Sequence, residues 1–222
     1  MIEVATDTSN KRLAMQAYEQ VLDLILNGGA RPGDMVNERR LAEMLDMSRT
    51  PVRDALLMLE AEGLLERQGG RGLRIKQMQI EDYMDALQIR LMLEPEVARM
   101  ATGRIPAADL DALEATLKAM LADAEAGAQA DRAAVRDVDD RLHGLISDAT
   151  ENRQLSSIIL MLRRQTQIFD LRSMPERFQD TAAEHLDILR CIRSGDAEAA
   201  ATAMRAHLEQ VRNSIINRLT RR

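Results

Sequence analysis

Between Leu13 and Asn27 the chain reads LAMQAYEQVLDLILN, with Tyr18, Val21, Leu22, Ile25 and Leu26 at the three- and four-residue spacing of one helical face. The pattern predicts an amphipathic helix stopped by GGARPGD. ERRLAEML predicts a short second helix, DMS a tight connection, and RTPVRDALLMLEAEG a third helix closed by Gly63. Pro51 fits this third helix because it falls in the first turn, where backbone amides have no intrahelical partner. LLERQ and LRIKQ, of mixed polarity around GGRG, predict a two-stranded hairpin. Three helices and a hairpin make a winged helix-turn-helix, assigned to residues 10–78.

From Ile80 onward the periodicity is helical throughout. Helices are predicted at about 81–102, 106–126, 131–149, 152–172, 176–194 and 196–220, separated by TGRIP, AGAQAD, TEN, RSMPE and SGD. Gly195 suits a helix C-terminus and Asp196 the N-cap of the next helix. The expected fold is therefore mainly α: a winged helix-turn-helix followed by an all-helical bundle over residues 79–222. With two Tyr, two Phe and no Trp, the core must come from Leu, Ile, Met and Ala, which favours helices and argues against a base-stacking platform for single strands.

No apolar run approaches the roughly 20 residues that span a bilayer, and the N-terminus lacks the apolar stretch of a signal peptide. A cytoplasmic protein with no membrane partner is expected. The single cysteine, Cys191, lies among Ile188, Leu189 and Ile192 and reads as a small core residue.

Charge complicates a DNA-binding reading, because the net charge is -6. Residues 1–80 hold 11 Lys and Arg against 12 Asp and Glu, so the first segment is near neutral. The case rests on where the arginines stand. In a helix-turn-helix the second helix of the pair offers its N-terminal residues to base edges in the major groove. Here those are Ser48, Arg49, Thr50 and Arg53. Arg49 and Arg53 share a face opposite Val52, Leu56 and Leu59, and Arg can donate two hydrogen bonds to guanine O6 and N7. Gly69, Gly70 and Gly72 allow a tight wing with Arg71 at its tip. The plainer alternative is a surface helix with solvated charges.

The segment PGDMVNERRLAEMLDMSRTPVRDALLMLEAEGLLERQGGRGLRI resembles the N-terminal domain of GntR-family bacterial transcription regulators over essentially the whole domain. The PG, LAE-(x)4-SRTPVRDAL, L-x-AEGLL and G-x-G elements keep that family's order and spacing. The resemblance implies that Arg39, Arg49, Thr50, Arg53 and Gly70 contact double-stranded operator DNA.

The three histidines, His143, His185 and His207, all lie in the helical region. Asp139 and His143 are one turn apart, so a carboxylate and an imidazole project together. His185 shares a face with Ile188, Leu189 and Ile192, and His207 with Ala203, Met204 and Val211. At about 1.5 Å per residue both stand roughly 15 Å from the Gly195 turn, so an antiparallel hairpin brings them to one level. Asp139 with three inward imidazoles forms a site for a first-row divalent metal, zinc first, with nickel, manganese or iron as alternatives. Taken singly, each histidine also fits as a satisfied core residue. The same region resembles the FCD effector-binding domain of the FadR subgroup, through R-x-x-x-E, D-x(3)-H, Asn152 and EH-(x)9-GD-(x)10-H. Six helices match its shorter, VanR-like branch. Its metal-ligand pattern falls on Asp139, His143, His185 and His207.

Arg90 should point inward with Ala86, Leu93 and Val97. It either bridges to Glu94, four residues on, or clamps the carboxylate of an effector, as the resemblance implies. Asn152 and Arg164 are further effector-binding candidates, and Pro95 is a candidate kink.

The expected protein is not an enzyme but a homodimeric, ligand-responsive regulator, acting as a repressor released by a small organic acid bound at the metal. The competing expectations are a metal-dependent hydrolase using the same Asp and His residues, and a regulator whose metal is purely structural.

Overall fold

A computed structural model describes residues 8–128, 131–169 and 177–220. These fall into two compact units, the first holding the residues up to Ile80 with the end of the seventh helix, the second most of the remainder.

The first unit begins with α1 (Thr8–Leu26), whose buried Ala14, Ala17, Tyr18, Val21, Ile25 and Leu26 follow the predicted face. α1 starts five residues before Leu13, through a polar turn that apolar spacing could not reveal. The Tyr18 hydroxyl donates to Glu62 Oε2 at 2.7 Å, so this buried ring also satisfies its polar end. α2 (Glu38–Met44) is capped by Asn37, whose Oδ1 accepts from Arg40 N at 3.0 Å. The connection to α3 (Arg49–Ala61) passes through Asp46 at φ 50°, a left-handed position that an Asp tolerates better than most residues.

α3 buries Pro51, Val52, Ala55, Leu56 and Leu59 against its neighbours. Gly63, at φ 73°, follows its end. β1 (Leu65–Arg67) and β2 (Leu73–Ile75) pair antiparallel with Leu65 opposite Ile75. The turn between them contains a short 3-10 segment, Gly69–Arg71, and needs Gly69 and Gly72 at positive φ.

The second unit is built from α4 (Ile80–Ala101) from Glu81 onward, α5 (Ala107–Glu125), α6 (Arg132–Asp148), α7 (Arg153–Phe169) as far as Thr166, α8 (Phe178–Ser194) and α9 (Ala197–Thr220). The predicted ends at 172 and 176 lie outside the described residues. α4 runs unbroken through the buried Pro95. Gly195 closes α8 at φ 77°, and Asp196 Oδ1 accepts from Ala199 N at 2.9 Å to start α9, so the α8–α9 hairpin turns where its sequence signals it. Cys191 is half-buried rather than in the core, because it lies to one side of the buried stripe formed by Ile188, Leu189 and Ile192; what burial it has pushes its thiol pKa up.

Candidate metal centre and DNA-reading face

α6 carries Asp139 and His143 one turn apart, α8 carries His185, and α9 carries His207. Each of these four side chains offers one ligand atom within 4.8 Å of all the others. The imidazoles are buried, and the His185 and His207 ring centres stand 4.7 Å apart, as the hairpin register requires.

The hydrogen bonds fix which nitrogens face inward. His143 Nδ1 lies 2.6 Å from Glu94 Oε2, and His207 Nδ1 lies 2.8 Å from Glu184 Oε2. A carboxylate can only accept, so each Nδ1 carries the proton and each Nε2 keeps its lone pair. Asp139 Oδ1 lies 3.4 Å from His185 Nε2 and 3.8 Å from His143 Nε2. Both of those Nε2 atoms are buried without a hydrogen-bond partner. Orphaned buried nitrogens are costly, and two of them beside one carboxylate oxygen fit a bound cation. Glu94 and Glu184 occupy the outer positions that commonly orient metal-binding imidazoles.

The electrostatics keep this donor set ready. Burial lowers the pKa of His143, His185 and His207, the last to about 3, so the rings are neutral near pH 7. Burial, the largest single influence, would raise Asp139, but the Arg163 guanidinium and the three neighbouring histidines together outweigh it and hold the carboxyl well below its ordinary range. At Glu94 burial is likewise the largest influence and is outweighed by Arg90, His143 and Arg163 acting together.

Arg163 was not singled out in the sequence. Its Nη2 donates to Asp139 Oδ2 at 2.6 Å and to Asp140 Oδ1 at 2.8 Å, and the side chain is buried. The signal was present: Arg163 falls on the buried stripe of Ile159, Leu162 and Thr166. The neighbouring Arg164, the effector-binding candidate, sits about 100° further round α7 and is half-buried. Arg90 is buried as expected, and the bridge is present: Nε donates to Glu94 Oε1 at 2.5 Å and Nη1 to Thr166 Oγ1 at 3.0 Å. It therefore reaches His143 through Glu94. Asn152 is exposed and caps α7, its Oδ1 accepting from Leu155 N at 3.2 Å. That local task accounts for the residue type without an effector.

In the first unit, Arg39, Ser48, Arg49, Thr50, Arg53 and Gly70 are all exposed. The Arg71 side chain lies outside the described residues. Arg39 pairs only loosely with Glu43, at 3.5 Å. The sequence reading missed Glu38: its Oε1 accepts from Arg49 Nε at 2.9 Å and its Oε2 from Arg53 Nε at 3.1 Å. Asn37, Glu38, Arg39, Arg49 and Gln68, the residue after β1, line an open cleft between α2, α3 and the wing.

A winged helix-turn-helix joined to an all-helical unit defines a two-domain transcriptional regulator. Residues 13–75 match the family described as bacterial regulatory proteins, gntR family, and residues 85–210 match the FCD domain. The chain belongs to the GntR family and carries an FCD domain. It is 32% identical to the HTH-type transcriptional regulator LutR of Bacillus subtilis over 85% of this chain and 94% of that protein. It is 29% identical to the probable D-xylose utilization operon transcriptional repressor of Paenarthrobacter nicotinovorans, over 91% of this chain and 90% of that one. In fold it is similar to McbR/YncC of E. coli, with a TM-score of 0.79 at 20% identity, covering 94% of this chain and 99% of that chain.

Proposed function

We propose that the protein is a homodimeric repressor that leaves its operator when a small organic acid binds at a divalent metal held by Asp139, His143, His185 and His207. Residues 10–78 are the DNA-binding domain, and residues 79–222 hold the metal, the effector and the dimer contact. The observation that carries the metal assignment is the pair of orphaned Nε2 atoms facing Asp139 Oδ1. Zinc suits the nitrogen-rich set best, with nickel, manganese and iron as alternatives. When bound, the metal supplies a positive centre that a carboxylate oxygen can join.

The protein residues do the remaining work. Glu94 and Glu184 hold the Nδ1 protons of His143 and His207 and so aim their Nε2 atoms inward. Arg163 holds one oxygen of Asp139 and leaves the other turned toward the histidines. Arg90, buried and paired with Glu94, is the guanidinium offered to an incoming carboxylate, with Arg164 and Asn152 as further candidates. On the DNA, Arg39, Ser48, Arg49, Thr50, Arg53, Gly70 and Arg71 form the contacting set.

Dimerisation through the helical domain is supported by exposed apolar side chains, Ile89 and Met92 on α4 and Ile158 and Leu160 on α7. No described helix is long and apolar enough to cross a membrane, and a regulator acting on bacterial DNA works in the cytoplasm. The repressor reading takes its support from the Paenarthrobacter relative's name. A purely structural metal is the competing reading, favoured by the count of four protein ligands, which can close a tetrahedral site.

A panel of hydroxy, keto and sugar acids, titrated against operator binding by metal-loaded and chelator-stripped protein, separates the two. The proposal expects at least one acid to weaken DNA binding in the loaded protein alone. Equal responses with and without metal would favour the structural ion.

A further inference from the structure

Glu38 is the first residue of α2, its backbone fixed by the Asn37 cap, and its carboxylate lies beneath both arginines of the reading helix. The Glu38 side chain is 23% exposed while those of Arg49 and Arg53 are 62% and 60% exposed. The acid is therefore on the inner side of the pair and the guanidinium groups are on the outer side.

We propose that Glu38 is a specificity-determining residue, which fixes the planes of Arg49 and Arg53 so that their outer Nη edges meet base edges in one register. The inference rests on reading α3 as the helix that enters the major groove. A guanidinium recognises guanine by aiming two N–H groups at O6 and N7, so its plane must be set before discrimination is possible. Exposed arginines on flexible stems have no such fixed plane. Glu38 supplies it from below. Arg49 gives its Nε to Oε1 at 2.9 Å, and Arg53 gives Nε to Oε2 at 3.1 Å and Nη2 to Oε1 at 3.2 Å. Neither arginine uses Nη1 in these bonds, so the edge away from Glu38 stays turned outward.

Charge works in the same direction. A lone pair of arginines attracts any phosphate backbone, and that attraction carries no sequence information. One carboxylate between them cancels half of their positive charge. Indiscriminate attraction falls while the hydrogen-bonding edges remain. The hydrogen bond from Arg53, with Arg49 beside it, holds the Glu38 carboxyl below its ordinary range, so it is ionised whenever the protein meets DNA near neutral pH.

The test uses full-length protein and a randomised duplex DNA library, from which the wild-type protein selects its own preferred sequence. Binding to that sequence, to copies with single guanine replacements, and to unrelated duplex is then compared for wild type, Glu38→Gln and Glu38→Asp. Glu38→Gln should lose roughly tenfold in discrimination against the guanine replacements, the size of one bidentate base contact, while its binding to unrelated duplex rises. Glu38→Asp keeps the charge but its shorter stem cannot span both arginines. It should lose discrimination with no gain on unrelated duplex.

Undiminished discrimination in both variants overturns the inference. So does a uniform loss on every duplex that tracks a lowered melting temperature, since that marks a merely structural acid. Arg49→Ala and Arg53→Ala keep the two readings apart. If both bind the selected sequence as wild type does, α3 is not the reading helix. If they weaken it while the Glu38 variants discriminate normally, only the role of Glu38 is lost.

Discussion

At His143 and at His207 one arrangement occurs twice: a glutamate from another position in the helical unit holds Nδ1, and Nε2 is left facing the centre. Glu184 is the more accessible of the two acids and is itself paired with Arg177 at 2.5 Å. Glu184→Gln should lower metal affinity about 10- to 100-fold in competition with a chelator, the usual effect of removing an outer carboxylate, while the far-ultraviolet helical signal stays unchanged. Metal affinity equal to wild type would place His207 outside the site. These outer partners mark the limit of the sequence reading at this scale. The clustering of Asp139 with the three histidines was legible because each histidine sat on an apolar stripe. Glu38, Glu94, Glu184 and Arg163 were not named as site residues because what matters in them is a contact between different helices, which periodicity along one helix does not encode. Arg163 is the partial exception. Its stripe was readable, one residue and about 100° round the helix from Arg164, the effector candidate.

Among the elements, the bundle and the wing followed from spacing alone, since Leu, Ile and Ala at helical intervals and glycines at the turn leave few other folds. The extra turn of α1 did not, because its sequence, TSNKR, is polar and carries no apolar spacing. The helices that meet at the centre also carry the pH dependence of the second unit. All three histidines have folded pKa values below the unfolded value of about 6.5, so below that pH the unfolded chain binds more protons than the folded one. Asp139 and Glu94, shifted down, act in the same sense at lower pH, while Glu184, shifted up, opposes them in part. Stability of the metal-free protein should therefore fall as pH drops below about 6.5, by up to about 1.4 kcal/mol per pH unit for each histidine. Thermal melts of chelator-treated protein at neutral and mildly acid pH check this. A melting temperature that rises on acidification would mean the imidazoles are protonated and paired in the fold.

For the whole molecule, the acidic net charge ceases to conflict with DNA binding once the arginines at the start of α3 are seen to be exposed together. Affinity should still fall steeply with salt, since phosphate contacts release counterions. Two reading heads on one pseudo-palindromic operator require a dimer. Met92, 63% exposed on α4, is the most exposed large apolar side chain among the described residues and faces away from the core of its own unit. Met92→Lys should shift sedimentation toward the monomer and weaken operator binding while leaving the melting of the first unit unchanged. An unaltered dimer would move the contact elsewhere.

The central claim is that the Asp139, His143, His185 and His207 cluster holds a metal ion. Elemental analysis of the full-length protein, purified without chelator beside its His185→Ala variant, addresses it most directly. The account predicts about one equivalent of a divalent first-row metal per chain in the wild type and a large loss in the variant. No metal in the wild type, even after exposure to zinc, nickel, manganese and iron, or equal metal in both proteins, would contradict it.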